Sequence, residues 1–176
     1  EKARFEVSID PLTEPGQNGM DRVEFMLSAN PGESLKPLEK VASGGEMSRI
    51  MLAFKAIAAN ADSIPTLIFD EIDTGISGHI AAVVGEKMVS IADNHQVLCV
   101  THLPQIAALA DVHFMVQKQD DGQTTRTSLK RLEMEERYEY IARMMSGMED
   151  SKLAYEHARE LITHSEEIKQ KRRKNK

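Results

Sequence analysis

Two short apolar runs, Thr66–Phe69 and Val97–Val100, do most to limit what this chain can fold into. Each is too brief for a helix and continuously apolar, as a strand buried on both faces is. Between them Ser77 reads as the N-cap of a helix that carries Ile80, Val83, Val84, Met88 and Ile91 on one face. Strands alternating with a helix in this way imply a parallel sheet. Upstream, Arg4–Asp10 and Arg22–Ser28 alternate apolar and polar positions, and the Pro-, Gly- and Asn-rich stretch Pro11–Met20 between them predicts a hairpin with a longish loop. A second polar loop is expected over Asn30–Lys40, then a helix with Met47, Ile50, Met51, Phe54, Ile57 and Ala58 along one face. Downstream, Pro104 is placed to open a helix to about Ala110. Val112–Gln117 and Thr124–Leu132 form a strand pair around Asp120-Asp121-Gly122, and helices follow over Glu133–Met145 and Ser151–Lys169, broken at Ser146-Gly147. The expected class is α/β, a central largely parallel sheet with flanking helices and antiparallel hairpins. One domain, residues 1–168, and a frayed basic tail, 169–176, complete it.

Charge is unevenly spread along that plan. The last eight residues, Lys169–Lys176, hold six basic side chains and no acid; without them residues 1–168 carry 16 basic against 28 acidic groups, a net of −12. So acidic a body is a poor non-specific DNA binder, because such binding rests on Lys and Arg neutralising phosphates. The basic tail could touch DNA, or be only a solvated helix end. No apolar run is long enough to span a bilayer and no charged-then-apolar leader stands at the start, so no membrane role is expected. The single cysteine, Cys99, lies within an apolar run and reads as a small buried hydrophobe in a reducing compartment.

Three local features carry chemistry, and their order matters more than any one. Ser43-Gly44-Gly45-Glu46 opens a helix. A capping box accounts for Ser43 and Glu46, but not for two glycines in the first turn, each costing up to ~1 kcal/mol relative to alanine in a helix interior. Glycines there bare the backbone amides, which makes the helix start an anion site. Next, Leu67-Ile68-Phe69 runs into Asp70-Glu71-Ile72-Asp73. Two adjacent carboxylates at the carboxyl edge of a parallel strand repel each other, and a magnesium ion would relieve them. A single acid there would read as a helix cap or a solvated strand end. In a nucleotide reading Asp70 orients Mg²⁺ through water, Glu71 polarises the attacking water, and Asp73 begins the following turn. Finally Val97–Thr101 ends in His102, at the end of the next strand, where a group sensing a γ-phosphate would sit. A satisfied structural histidine is the competing reading. His79, His95, His113, His157 and His164 have no such context.

Taken in order, these features resemble the signature motif, Walker B strand, D-loop and switch histidine of ABC-type ATPases. Glu46, where transporters usually carry glutamine, and Phe69-Asp70-Glu71-Ile72-Asp73 are similar to the SMC-like, chromosome-structure and DNA-repair branch. Ala42–Lys55 (ASGGEMSRIMLAFK) and Thr101–Asp111 (THLPQIAALAD) look closer still to the RecN family of bacterial DNA-repair proteins, and the resemblance covers roughly residues 1–165. It implies the C-terminal lobe of an ABC/SMC-type P-loop NTPase head, with ATP held between two heads. Asp70, Glu71 and His102 would act on the nucleotide of their own head, Glu71 and His102 as the catalytic pair and Asp70 on magnesium. Ser43, Gly44, Gly45 and Glu46 would close on the γ-phosphate held by the partner head, and Asp73 would lie at the shared interface. Arg49 is either an interface group or a solvated face residue.

The chain has no G-x-x-x-x-G-K-[ST] run to cradle phosphates, and Gly44-Gly45 lacks the following Lys-Ser/Thr. The family keeps its P-loop in an N-terminal half beyond a coiled coil, so Glu1 is expected where the returning coil re-enters the head. The expected partners are that half and coil, a second head, DNA and a recombinase, with ATP and Mg²⁺ as cofactors, in the cytoplasm at the nucleoid. Two rivals stand beside this reading. One is a non-catalytic docking module for DNA or a recombinase, favoured by the acidic body; the other is a transporter ATP-binding subunit, disfavoured by Glu46, Ile72–Gly75 and the first hairpin.

Overall fold

The alternation of apolar and polar residues at the start of the chain produces a long hairpin. The computed structural model describes residues 3–28, 32–41, 44–58, 64–120, 124–148 and 151–174, and divides into two compact units, Glu1–Met47 and Ser48–Lys176. In the first, β1 (Arg4–Gly16) pairs antiparallel with β2 (Gly19–Ser28), and Phe5↔Leu27, Val7↔Phe25 and Ile9↔Val23 fall opposite one another. The expected loop is shorter than its composition suggested. A register shift between Pro11 and Gly16 absorbs the irregular residues, and Gly19, at φ 121, closes the tight turn that a side chain would strain. The apolar pairs leave Phe5, Val7, Ile9, Val23 and Phe25 exposed along the hairpin. Of the expected polar loop, Lys36–Pro37 adds a short edge strand, β3, on β2, and Leu38–Val41 forms a helical turn, α1. Pro37 is tolerated there because an edge position need not donate on both sides.

In the second unit β4 (Thr66–Phe69) and β5 (Gln96–Cys99) are parallel, from Thr66↔Gln96 to Phe69↔Cys99, with α3 (Gly78–Ala92) between them in sequence. The helix α2 (Gly44–Ala58) contributes Leu52 to the core with Leu67, Phe69, Ile72, Ala81, Val84, Met88, Ile91 and Ile106. Three expectations of burial are corrected here. β4 and β5 are covered on one face only: Leu67 and Phe69 are buried, whereas Ile68 is 71% and Leu98 45% exposed. On α2 the inward residues are Leu52 and Ala56, not Met51 or Ile57, because the sequence places apolar residues on two faces of that helix. On α3 small residues, Ala81 and Gly85, face inward and Ile80 and Val83 outward.

The rest follows the predicted order. α4 (Pro104–Ala107) starts on its proline, and β6 (Phe114–Asp120) pairs antiparallel with β7 (Thr125–Arg131). Residues 121–122 of the expected hairpin turn lie outside the described residues. α5 (Met134–Ser146) ends at Gly147, whose φ of 68 and bond from its N–H to the Arg143 carbonyl (2.8 Å) stop the helix. α6 (Lys152–Lys174) packs on α5 through Ala158, Ile162, Ile141 and Ala142. It also overruns the boundary expected at residue 168. Lys169 is 5% exposed and bonds Asp111 and Glu166 at 3.0 Å each, while Arg172 reaches Ser90 (2.9 Å) and Asp93 (3.1 Å). Two of the basic residues read as a frayed tail are thus committed to the body, and 175–176 lie outside the described residues. Among the described residues no helix is long and apolar enough to cross a membrane.

Candidate functional site

Because β4 and β5 are parallel and in register, both end at one edge, and the Val100 N–H donates to the Phe69 carbonyl at 3.0 Å. Asp70 and Glu71 leave β4 there; Thr101 and His102 leave β5. This brings together the residues expected from the two strand-end motifs.

Asp70 and Glu71 are exposed, and the Glu71 amide donates to Asp70 Oδ1 at 2.9 Å. Glu71 has φ 55, the one positive φ of a non-glycine among the described residues. For such a residue the left-handed conformation costs about 1–2 kcal/mol and persists only where the surroundings over-determine it. Here the Thr74 N–H donates to the Glu71 carbonyl at 3.0 Å and closes the turn. Among the described residues no cationic side chain forms an ion pair with either acid. That donor set fits magnesium, which takes one or two carboxylates and fills its shell with water and phosphate oxygens. It does not fit an all-protein cage, since no trio of His, Cys, Asp or Glu among the described residues could hold a metal.

Asp73, expected to begin the turn after β4, is 3% exposed, with its carboxylate directed into its own chain. Asp73 Oδ2 accepts from Thr101 Oγ1 (2.6 Å) and the His102 amide (2.7 Å), and lies 3.0 Å from His102 Nδ1. Burial alone would raise its pKa; the bonds from Thr101 and the His102 amide, with the His102 ring beside it, outweigh burial and hold it below the ordinary aspartate value. The His102 side chain itself is 73% exposed. Thr101 Oγ1 also accepts the Leu103 N–H at 3.1 Å, joining this knot to the start of α4.

Two residues of α2 fasten the loop from the other side. Ser48 Oγ donates to the Asp70 carbonyl at 2.9 Å. Arg49 Nη1 donates to the carbonyls of Ile72 (3.1 Å) and Thr74 (2.9 Å), so both are pinned on either side of Asp73. Arg49 is therefore bound within its own chain, which neither alternative raised for it anticipated. The signal in the sequence was slight: two adjacent polar residues, Ser48 and Arg49, between apolar Met47 and Ile50. Gly44, Gly45 and Glu46 form the first turn of α2, whose leading amides have no intrahelical acceptor. They belong to the first compact unit, and Ser43 lies outside the described residues. Burial, then the Asp73 and Asp70 charges, push the Cys99 thiol up to about 12.

No family model matches the chain. Among curated proteins, DNA repair protein RecN of Halalkalibacterium halodurans is 49% identical over 173 residues, covering 96% of this chain and 31% of that protein. RecN of Bacillus subtilis is 46% identical over 154 residues, covering 87% and 27%, and RecN of Deinococcus radiodurans 49% over 160 residues, covering 91% and 28%. The chain thus spans about a third or less of the length of these relatives. A solved structure from work on the structural biochemistry of ATP-driven dimerization and DNA stimulated activation of SMC ATPases matches with a TM-score of 0.50 at 21% identity, over 80% of this chain and 82% of that one. At that identity the likeness is one of fold, an α/β lobe of the SMC head type.

Proposed function

The chain belongs with the RecN proteins, of which it spans about a third, and on that premise we propose that it is the C-terminal lobe of an ATPase head acting in DNA double-strand-break repair. The observation that carries the reading is the convergence of Asp70, Glu71 and His102 at one edge of the parallel β4–β5 pair, where ligands of open α/β folds bind. Asp70 would hold magnesium through water, and the ion would supply charge neutralisation at the phosphates. Glu71, exposed and fixed by its turn, orients and polarises the attacking water. His102 meets the terminal phosphate from the neighbouring strand. Ser43, Gly44, Gly45 and Glu46 offer the amides of a helix start to the nucleotide of a second head. The turn around Asp73 meets that head through its exposed Thr74 and Gly75, while the carboxylate works inward.

The phosphate cradle comes from the N-terminal P-loop half, which also covers the exposed apolar surface of β4–β5. Engagement of two heads around ATP and release on hydrolysis then control how the coiled-coil arms hold DNA. Ser43→Arg in the full-length protein places a bulky cation where two heads meet. ATP-dependent head dimerisation, followed by sedimentation, should disappear and DNA tethering with it. Unchanged dimerisation and tethering would remove the signature role and favour a docking platform for DNA or a recombinase.

A further inference from the structure

Among the described residues Asp73 is the one buried carboxylate, and the chemistry proposed above gives it no part. A buried charge is tolerated only where it is richly hydrogen-bonded. Asp73 Oδ2 has three neighbours at bonding distance, and two of them are the backbone and ring of His102. The His102 Nδ1 must carry a proton to approach a carboxylate oxygen at 3.0 Å, which leaves Nε2 as the atom the ring presents outward. A ring whose side chain is 73% exposed is held there by these bonds and not by packing. The turn that carries Asp73 is itself fixed by Arg49, whose guanidinium bridges the carbonyls on either side of it.

We infer that Asp73 is a positioning residue that sets the tautomer and direction of His102, and that Arg49 locks the turn carrying it, so that α2 and His102 are coupled through residues 72–74. The consequence for turnover rests on His102 meeting the terminal phosphate; the positioning itself does not. The two parts are separable by experiment. In the 176-residue chain, long-range nitrogen–proton NMR of the imidazoles, with His102 assigned through His102→Gln, reads the tautomer directly. The Nδ1–H form is expected for the native chain, shifting toward the Nε2–H form common in water in Asp73→Asn. Arg49→Met leaves the carboxylate intact and is expected to shift the ring in the same direction by a smaller amount, which keeps the test valid if Asp73→Asn folds poorly. An Nε2–H ring in the native chain, or no change in either variant, would overturn the inference.

In the full-length protein Asp73→Asn should lower kcat by at least about tenfold with little change in KM for ATP, the scale on which residues that orient a functional histidine act. Asp73→Asn should add nothing further to His102→Ala. Additive losses would overturn the coupling. If His102→Ala turns over ATP normally, the role proposed for His102 falls, while the tautomer comparison still decides whether Asp73 positions it.

Discussion

Replacing Arg49 by leucine keeps a helix-forming side chain on α2 and removes the two bonds to the Ile72 and Thr74 carbonyls. A hydrogen bond to a charged donor contributes about 1.5–3 kcal/mol when buried. One bond here is part-buried and the other exposed, so the lower end applies to each, and the loss should be about 2–3 kcal/mol. The Ile72 carbonyl, beside a side chain with no exposed surface, has little access to compensating water. The three tyrosines, Tyr138, Tyr140 and Tyr155, all lie in the unit Ser48–Lys176, so tyrosine fluorescence in urea follows that unit alone. With a urea m-value of about 2 kcal/mol/M, the midpoint should fall by about 1–1.5 M. Lys87→Ala, an exposed change on α3, serves as the control and should stay within about 0.5 kcal/mol of the parent. If Arg49→Leu behaves like that control, the clamp does not hold the turn and the coupling argued from it fails.

Glu71→Gly should be more stable than Glu71→Ala by about 1 kcal/mol, the reverse of their order in a helix, because only glycine accepts φ 55 freely; equal midpoints in the same urea assay would refute a strained Glu71. For Asp73, a pKa depressed on folding means that the unfolded chain binds more protons as pH falls through the ordinary aspartate value near 3.9. The stability it contributes is therefore complete above that value and lost as pH drops through the lower folded value. The difference between the parent and Asp73→Asn, from urea curves at pH 3 to 7, should be flat above about pH 5 and shrink below about pH 4, and a difference growing toward low pH would contradict the assignment. Cys99, with its thiol pushed up to about 12, should react with iodoacetamide at pH 8 at least about a hundredfold more slowly than glutathione, and a rate near that of glutathione would show an accessible thiolate.

The strand ends were legible because burial and chemistry write different residues. Leu67 and Phe69 needed apolar surroundings, and the carboxylates after them needed the open edge, so the change of character marks the site. Asp73 was harder to place. Spacing set it in the turn after the strand, but nothing in its neighbours told that its carboxylate is buried, beside Ile72, which has no exposed surface, while Thr74 and Gly75 of the same turn stay exposed. Thr101 and Arg49 were opaque for a related cause: each bonds a partner more than 20 residues away, and such a bond leaves no local pattern. The basic C-terminal stretch misled because composition reports charge without reporting the acids it meets, Asp111, Glu166 and Asp93. The faces of α2 and α3 misled because apolar residues there outnumber the positions the core of this unit takes, leaving Met51, Ile57, Ile80 and Val83 at the surface.

Steady-state ATP hydrolysis tests the central claim most directly, measured for this chain alone, for the chain with a P-loop-bearing N-terminal half, and for that mixture carrying Glu71→Gln. Turnover only in the unsubstituted mixture is the predicted result, with nucleotide binding retained in the substituted one. Equal turnover with and without Glu71, or silence in every mixture whose halves demonstrably associate, would contradict it.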